Sequence, residues 1–356
     1  MMNYLSEKAR SLKPYVPGEQ PRDRRYIKIN TNENPYPMSP AARRAIADAL
    51  ENAALYPDPD ATALRLAVAQ AEGVGPEQVF CGNGSDEVLA FCFAAFFDPD
   101  RPVLFPDITY SFYPVYADFF RIPYERVPLD ADFCLNPADY DRPNGGVIFP
   151  NPNAPTGAAL PREAIRAMAE AQRGRGVLIV DEAYVAFGAQ SVMSLVAEFE
   201  NLVVVRTFSK SHSMAGMRVG YAVAQESLIA GLNAVKNSFN SYVVDRAAMA
   251  GAAAAIADTA YSAGVLKKIT ATRDRVAAEL KTLGFSMPES KANFLFITHE
   301  RISAETLYRA LREKGILTRY FAQERIENYL RVTIGTDEQM NTFLQAVREI
   351  LAQASR

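Results

Sequence analysis

Two unbroken runs of branched apolar residues, Val177-Leu178-Ile179-Val180 and Leu202-Val203-Val204-Val205, stop abruptly in polar chemistry. The first ends at Asp181 and the second leads into Arg206-Thr207-Phe208-Ser209-Lys210. Apolar runs without alternation read as strands covered on both faces, the condition of a parallel sheet between helices. Further strands are expected near 79–81, 103–105, 147–149 and 218–223, separated by helical patterns such as 161–172. Ligands of open α/β sheets sit beyond the carboxyl ends of the strands. The polar residues that end these runs are therefore the first candidates for function.

Lys210 lies in Arg206-Thr207-Phe208-Ser209-Lys210-Ser211-His212-Ser213-Met214-Ala215-Gly216-Met217-Arg218. A strand ending in hydroxyls around one lysine, with an arginine eight residues later, can hold a phosphate beside an amine that bonds an aldehyde. That is the chemistry of pyridoxal phosphate. A lysine in a loop is by itself an ordinary solvated side chain, and only its company changes the reading. Asp181 can face a pyridine nitrogen and keep it protonated, and Tyr184, three residues on, can hydrogen-bond the ring oxygen. Gly82-Asn83-Gly84-Ser85-Asp86-Glu87 precedes the apolar run Val88-Leu89-Ala90-Phe91. Small residues opening a helix leave backbone N–H groups for an anion, so this turn is a second phosphate contact. It lacks the third glycine of a dinucleotide fingerprint. A rigid turn, Asn151-Pro152-Asn153-Ala154-Pro155-Thr156-Gly157, follows the strand at 147–149.

These four elements, in this order and spacing, resemble the fold-type-I pyridoxal-phosphate aminotransferases over nearly the whole chain. Within them the pattern is most similar to the histidinol-phosphate aminotransferase family. The shared pieces are Lys13-Pro14-Tyr15-Val16-Pro17-Gly18, Asn30-Thr31-Asn32-Glu33-Asn34-Pro35-Tyr36, Leu55-Tyr56-Pro57-Asp58, the 82–87 turn and Leu330-Arg331-Val332-Thr333-Ile334-Gly335-Thr336. The resemblance implies that Lys210 binds the cofactor covalently and then moves the proton between the substrate's Cα and C4′ of the cofactor. It also implies that Asp181 pairs with the pyridine nitrogen, Tyr184 with the ring oxygen, and Tyr110 stacks on the ring. Gly84, Ser85, Asp86, Thr207, Ser209 and Arg218 would surround the phosphate. Tyr56 would reach the phosphate of a neighbouring subunit, which makes an obligate homodimer with shared active sites the expected assembly. Arg331 would grip the substrate's phosphate or carboxylate through a bidentate fork, with Arg319, Tyr15 and Asn32 as further substrate contacts.

One position departs from the pattern. Relatives carry Asn-Pro-Thr-Gly, with the asparagine on the ring oxygen, where this chain has Ala154-Pro155-Thr156-Gly157. Alanine makes no such bond, so the expectation is that Asn153, one residue earlier, or Tyr184 alone covers the role.

Composition excludes other classes. Net charge is −3, from 38 basic and 41 acidic residues, which leaves no electrostatic footprint for nucleic acid. The longest apolar runs, 88–97 and 247–257, fall short of the roughly 20 residues of a membrane span. The three cysteines Cys81, Cys92 and Cys134 have no metal-like spacing and fit a reducing compartment. The opening Met-Met-Asn-Tyr-Leu-Ser-Glu-Lys has no hydrophobic signal region, so a cytoplasmic location is expected. With two histidines, His212 and His299, no histidine-rich metal site is available, no metal is expected, and no G-x-S-x-G elbow supports a hydrolase.

The fold implied is α/β. A large cofactor-binding domain (residues 41–255), with a mostly parallel seven-stranded sheet between helices, is joined to a smaller α+β domain built from both chain ends (1–40 and 256–356). The alanine-rich stretch from 246 through 281 reads as one long helix joining them. The activity implied is transamination between L-histidinol phosphate and 2-oxoglutarate, giving imidazole-acetol phosphate and L-glutamate, a step of histidine biosynthesis. An aromatic amino-acid aminotransferase and a threonine-phosphate decarboxylase are the alternatives. A non-enzymatic cofactor-binding regulator lacks the basic helix-turn-helix segment it would need.

Overall fold

The computed structural model describes residues 4–354. Its centre is a seven-stranded sheet: β1 (Val79–Gly82), β2 (Val103–Pro106), β3 (Tyr124–Val127), β4 (Gly146–Pro150), β5 (Val177–Asp181), β6 (Leu202–Thr207) and β7 (Gly220–Val223). Their spatial order is β1-β7-β6-β5-β4-β2-β3. All pairings among β2 to β6 are parallel, and only β7 runs against its neighbours. In register, Pro150 lies beside Asp181 and Asp181 beside Val205, so the polar ends of β4, β5 and β6 come out on one edge.

Helices cover both faces. Leu178, Ile179, Val180, Val203, Val204 and Val205 are fully buried, which is why their runs show no alternation. The exception is β3, Tyr-Glu-Arg-Val, whose Glu125 and Arg126 are exposed. It pairs only with β2, and an edge strand carrying charges is invisible to a search for apolar runs.

The expected single helix over 246–281 is two helices, α1 (Arg246–Ala257) and α2 (Thr259–Thr282), bent by 78°. Asp258 sits at the break and its side chain accepts from the Tyr261 N–H at 3.3 Å, starting the second helix. A single capping aspartate among alanines is enough to end one helix and open another. Among the described residues no single helix is long and apolar enough to cross a membrane.

A second apolar core lies beyond the carboxyl edge of the sheet. It joins α2 to β8 (Phe294–His299), β9 (Leu330–Thr333) and the last helix α3 (Asp337–Ala354). The early chain is woven into it: Ile27–Lys28 pairs in parallel with Ile316–Leu317, and the Thr333 N–H donates to the Ile29 carbonyl. Tyr184, Phe187 and Ala154, which follow strands of the large sheet, pack in this second core. The seam between the two cores therefore runs along the strand ends.

Directly after Asp181, on the opposite side of the strand, Glu182 is buried and accepts from the Arg206 Nε at 2.9 Å, the Ser191 hydroxyl at 2.8 Å and the Val192 N–H at 2.6 Å. Arg206 also donates to Glu72, which takes a hydrogen bond from the Tyr221 hydroxyl. Three strands are thus tied together behind the polar edge. Breaking one member of a buried ion pair strands the other charge, so Glu182→Ala is expected to lower stability by about 3 kcal/mol in chemical denaturation. A loss below about 1 kcal/mol would show that the network is dispensable.

Candidate active site

A cleft open to solvent lies at the seam of the two cores. Asp181, Thr207, Ser209, Lys210 and Arg218 reach it from the large sheet, and Tyr15, Asn32, Arg319 and Arg331 from the chain ends.

Lys210 sits in the four-residue helical turn Phe208–Ser211 that follows β6 directly. The Thr207 hydroxyl accepts the Ser209 N–H at 3.1 Å and fixes the start of this turn. The Lys210 amine donates to the Thr31 carbonyl at 3.2 Å. Burial, reinforced by the nearby guanidinium of Arg331, lowers its pKa to about 8, against the opposing pull of Glu33 and Asp86. A sizeable neutral fraction near physiological pH suits a nucleophile and a proton carrier.

Asp181 is buried, with the Ala183 N–H donating to Oδ1 at 3.1 Å and the Tyr113 hydroxyl to Oδ2 at 3.3 Å. Burial, with Asp86 and Glu182 in the same direction, pushes its pKa up to about 7 despite those hydrogen bonds. Among the described residues no cationic side chain pairs with Asp181, and no carboxylate pairs with Lys210, Arg319 or Arg331. The Arg331 Nη2 donates to the Asn30 carbonyl at 3.0 Å, its Nε is buried without a partner, and its planar face lies over Phe294 and Phe321. Burial lowers its pKa. Unpaired buried charges of both signs around one cleft mark a site that expects charged ligands.

The phosphate cradle is assembled by backbone fit. The helix Gly84–Phe96 opens at Gly84, whose φ is +79° and where an added Cβ would stand 2.4 Å from the Arg218 Nη2. Glycine there lets the guanidinium lie against the helix start. Arg218 donates to Asp86 at 2.8 Å and to the Ser209 hydroxyl at 3.4 Å, and Asp86 also accepts from Tyr110 at 2.6 Å. Ser85, Thr207, Ser209 and Arg218 line the same end of the cleft. A helix N-terminus, hydroxyls and an arginine converging there fit a phosphate. With Asp181 unpaired by any cation and Lys210 lining the same cleft, the donor set fits pyridoxal phosphate.

Other expected residues fall differently. Tyr15 lines the cleft and stacks on Phe112, with ring centroids 4.3 Å apart. Arg319 lines it too, donating to the carbonyls of Pro17 and Val16. Tyr184 is buried and meets Phe294 edge-on at 5.2 Å. Asn32 is also buried and gives its amide to the Tyr184 hydroxyl at 2.8 Å, so it faces another protein residue before any substrate. Asn153 is not brought into the cleft. Its amide donates to the Ile108 carbonyl at 3.0 Å and the Thr156 hydroxyl at 3.1 Å, which leaves it no donor for a ring oxygen. Tyr56 is 79% exposed, stacked on Tyr242, and outside the cleft of its own chain. His212 shares a hydrogen bond with the Ser211 hydroxyl, and burial lowers its pKa to about 4, so it is a neutral local partner.

Residues not singled out from the sequence are Thr31, through its carbonyl on Lys210, Tyr113 on Asp181, and Glu33, which lines the cleft and pairs with Lys28. Tyr113 lies in the helix Phe112–Phe120, three residues after the non-helical Tyr110. Among the described residues no cluster of histidine, cysteine and carboxylate side chains could hold a metal.

Residues 24–347 match the family model described as aminotransferase class I and II. A histidinol-phosphate aminotransferase of Clostridium acetobutylicum is 49% identical over 353 residues, covering 99% of this chain and all of that protein. Histidinol-phosphate aminotransferase 1 of Bradyrhizobium diazoefficiens is 52% identical over 351 residues, covering 99% and 100%. Among solved structures, a Sinorhizobium meliloti histidinol-phosphate aminotransferase in complex with pyridoxal-5'-phosphate superposes with a TM-score of 0.89 at 24% identity over 99% of both chains. A mutant of Thermus thermophilus aspartate aminotransferase gives 0.84 at 21% identity, covering 98% and 100%. At those identities the structural likeness shows the fold.

The lowered pKa of Lys210 sets a pH dependence. Only the neutral amine attacks an aldehyde, so the rate at which apoprotein takes up pyridoxal phosphate should rise with pH and level off above about 8. Stopped-flow absorbance across pH 6 to 10 reads it. A rate still climbing steeply at pH 10 would mean an ordinary exposed lysine.

Proposed function

The chain belongs to the class I and II aminotransferases, and from that premise we propose that it exchanges an amino group between L-histidinol phosphate and 2-oxoglutarate, yielding imidazole-acetol phosphate and L-glutamate in histidine biosynthesis. The enzyme is pyridoxal-phosphate dependent. When bound, the cofactor supplies an aldehyde that takes up the amino group and a ring that accepts the electron pair released at the substrate's Cα.

In this reading Lys210 would hold the cofactor and then, as a neutral amine, would move the proton between the substrate's Cα and C4′ of the cofactor. Asp181 meets the pyridine nitrogen. A buried carboxylate without a cation is costly to ionise, and a protonated ring nitrogen is the partner that makes ionisation favourable. Tyr184 donates to the ring oxygen, Tyr110 lies beside the ring, and Arg218, Ser85, Thr207 and Ser209 hold the phosphate. Arg331 and Arg319 take the anionic end of the substrate. The observation that carries the substrate class is this pair of guanidiniums without a carboxylate partner, because a phosphate ester and a carboxylate both fit a planar fork. One site can then serve histidinol phosphate in one half-reaction and glutamate in the other. Full-length relatives at 49–52% identity that bear the name of this activity support the same choice.

We place the working enzyme in the cytoplasm as a homodimer. Leu50, Leu55, Tyr56, Phe239 and Tyr242 are exposed apolar side chains, and a second copy is the partner that would cover them. Tyr56 is then free to reach the phosphate cradle of the neighbouring subunit.

The test mixes purified holoenzyme separately with histidinol phosphate, phenylalanine and threonine phosphate, without keto acid, and follows the cofactor's absorbance over a single turnover. Rapid conversion to the amino form of the cofactor with histidinol phosphate is expected, and Lys210→Ala should abolish it. Conversion with phenylalanine instead would assign an aromatic aminotransferase, and carbon dioxide from threonine phosphate a decarboxylase.

A further inference from the structure

Asn32 and Thr333 lie on opposite ends of the chain and meet behind Tyr184. Both are almost completely buried. The backbone N–H of Asn32 donates to the Thr333 Oγ1 at 3.0 Å, and the Thr333 hydroxyl donates to the Asn32 Oδ1 at 2.9 Å. The Asn32 Nδ2 donates to the Tyr184 hydroxyl oxygen at 2.8 Å. The direction of every bond follows from the first. A backbone N–H can only donate, so the threonine oxygen accepts and its own proton is free for the asparagine carbonyl. The carbonyl end of the amide is thereby identified, and the NH₂ end must face the tyrosine. The tyrosine oxygen is already an acceptor there, so its proton is left to point elsewhere, and the open direction is the cleft it lines. The Asn32 backbone carbonyl accepts from the Asn293 side-chain amide at 3.1 Å, which holds the backbone of the motif in place.

The neighbouring wall makes that proton valuable. Ala154 lines the cleft with a methyl group, and the Asn153 amide is committed to Ile108 and Thr156. We propose that Asn32 and Thr333 are positioning residues forming a directional hydrogen-bond clamp that makes the Tyr184 hydroxyl an obligate donor to the cofactor's ring oxygen, the role that Ala154 cannot fill. This rests on the proposed cofactor-dependent transamination and deepens it. An acceptor that already receives a hydrogen bond is also a stronger donor, so the clamp strengthens the contact as well as aiming it. Without Thr333 the Asn32 amide is free to turn over. Tyr184 would then spend its proton on the asparagine carbonyl and offer the ring oxygen a lone pair.

In holoenzyme the bound cofactor would lose a proton as pH rises, a change its visible absorption would report. A donor on the ring oxygen would draw off negative charge and let that proton leave at lower pH, so losing the donor would raise the pH of the change. The experiment is a pH titration of the visible absorption of holoenzyme for wild type, Thr333→Val, Thr333→Ser, Tyr184→Phe and the Thr333→Val/Tyr184→Phe pair, each checked for native melting. Thr333→Val should move the titration midpoint up by about half to one pH unit, as expected for the loss of one neutral hydrogen bond. Thr333→Ser should restore it, and Thr333→Val should add nothing in the Tyr184→Phe background. Should Thr333→Val not fold, Thr333→Ala, which also removes the hydroxyl that holds the Asn32 amide, is read in the same way. An unchanged midpoint in the folded variant, or a shift that persists without the tyrosine hydroxyl, would overturn the clamp. Failure of the cofactor assignment looks different, because wild type itself would then show no visible band.

Discussion

Charges that stand buried without partners are the constraint on which the rest of this structure depends. Asp181 lies at the end of a fully buried strand with no cation near it, and its pKa rises to about 7. Lys210 and Arg331 stand across the same cleft with no carboxylate paired to either, and burial lowers the pKa of both. A protein gains nothing by folding around such groups alone. The surrounding architecture holds them apart, and a ligand that is cationic at one place and anionic at others resolves the tension.

The fold supplies the rigidity this requires. Parallel β4, β5 and β6 bring Pro150, Asp181 and Thr207 out on one edge. The buried Glu182–Arg206–Glu72 network ties the back of that edge together. Strand alternation does the sorting: Asp181 faces the cleft and Glu182, the next residue, faces the network. The chain ends complete the other wall, because Ile27–Lys28 and β9 are stitched into the second core and carry Thr31, Asn32 and Arg331 with them.

Much of this is legible in the sequence. The strands that hold Asp181 and Lys210 are unbroken apolar runs, and continuous burial on both faces is a local signal. What escaped the sequence is either exposed or non-local. The edge strand Tyr124–Val127 carries two charges on its surface. The bend at Asp258 depends on one cap in an alanine-rich stretch. Asn153 has the right chemistry one residue from the right place, but its amide is captured by Ile108, 45 positions away. Asn32 was readable as polar and near the site, whereas its direction toward Tyr184 is set by Thr333, 301 positions later. Residue types at strand ends announce the chemistry, and long-range hydrogen bonds decide which atoms perform it.

The central claim is that a single lysine, placed by β6 and tuned by burial, carries the cofactor. Borohydride reduction of the holoenzyme followed by proteolysis and mass spectrometry tests it most directly, because reduction fixes the cofactor to whichever amine holds it. The account predicts one reduced cofactor per chain, on Lys210. A label on Lys28, the other lysine near the cleft through its pairing with Glu33, or no label at all, would contradict it.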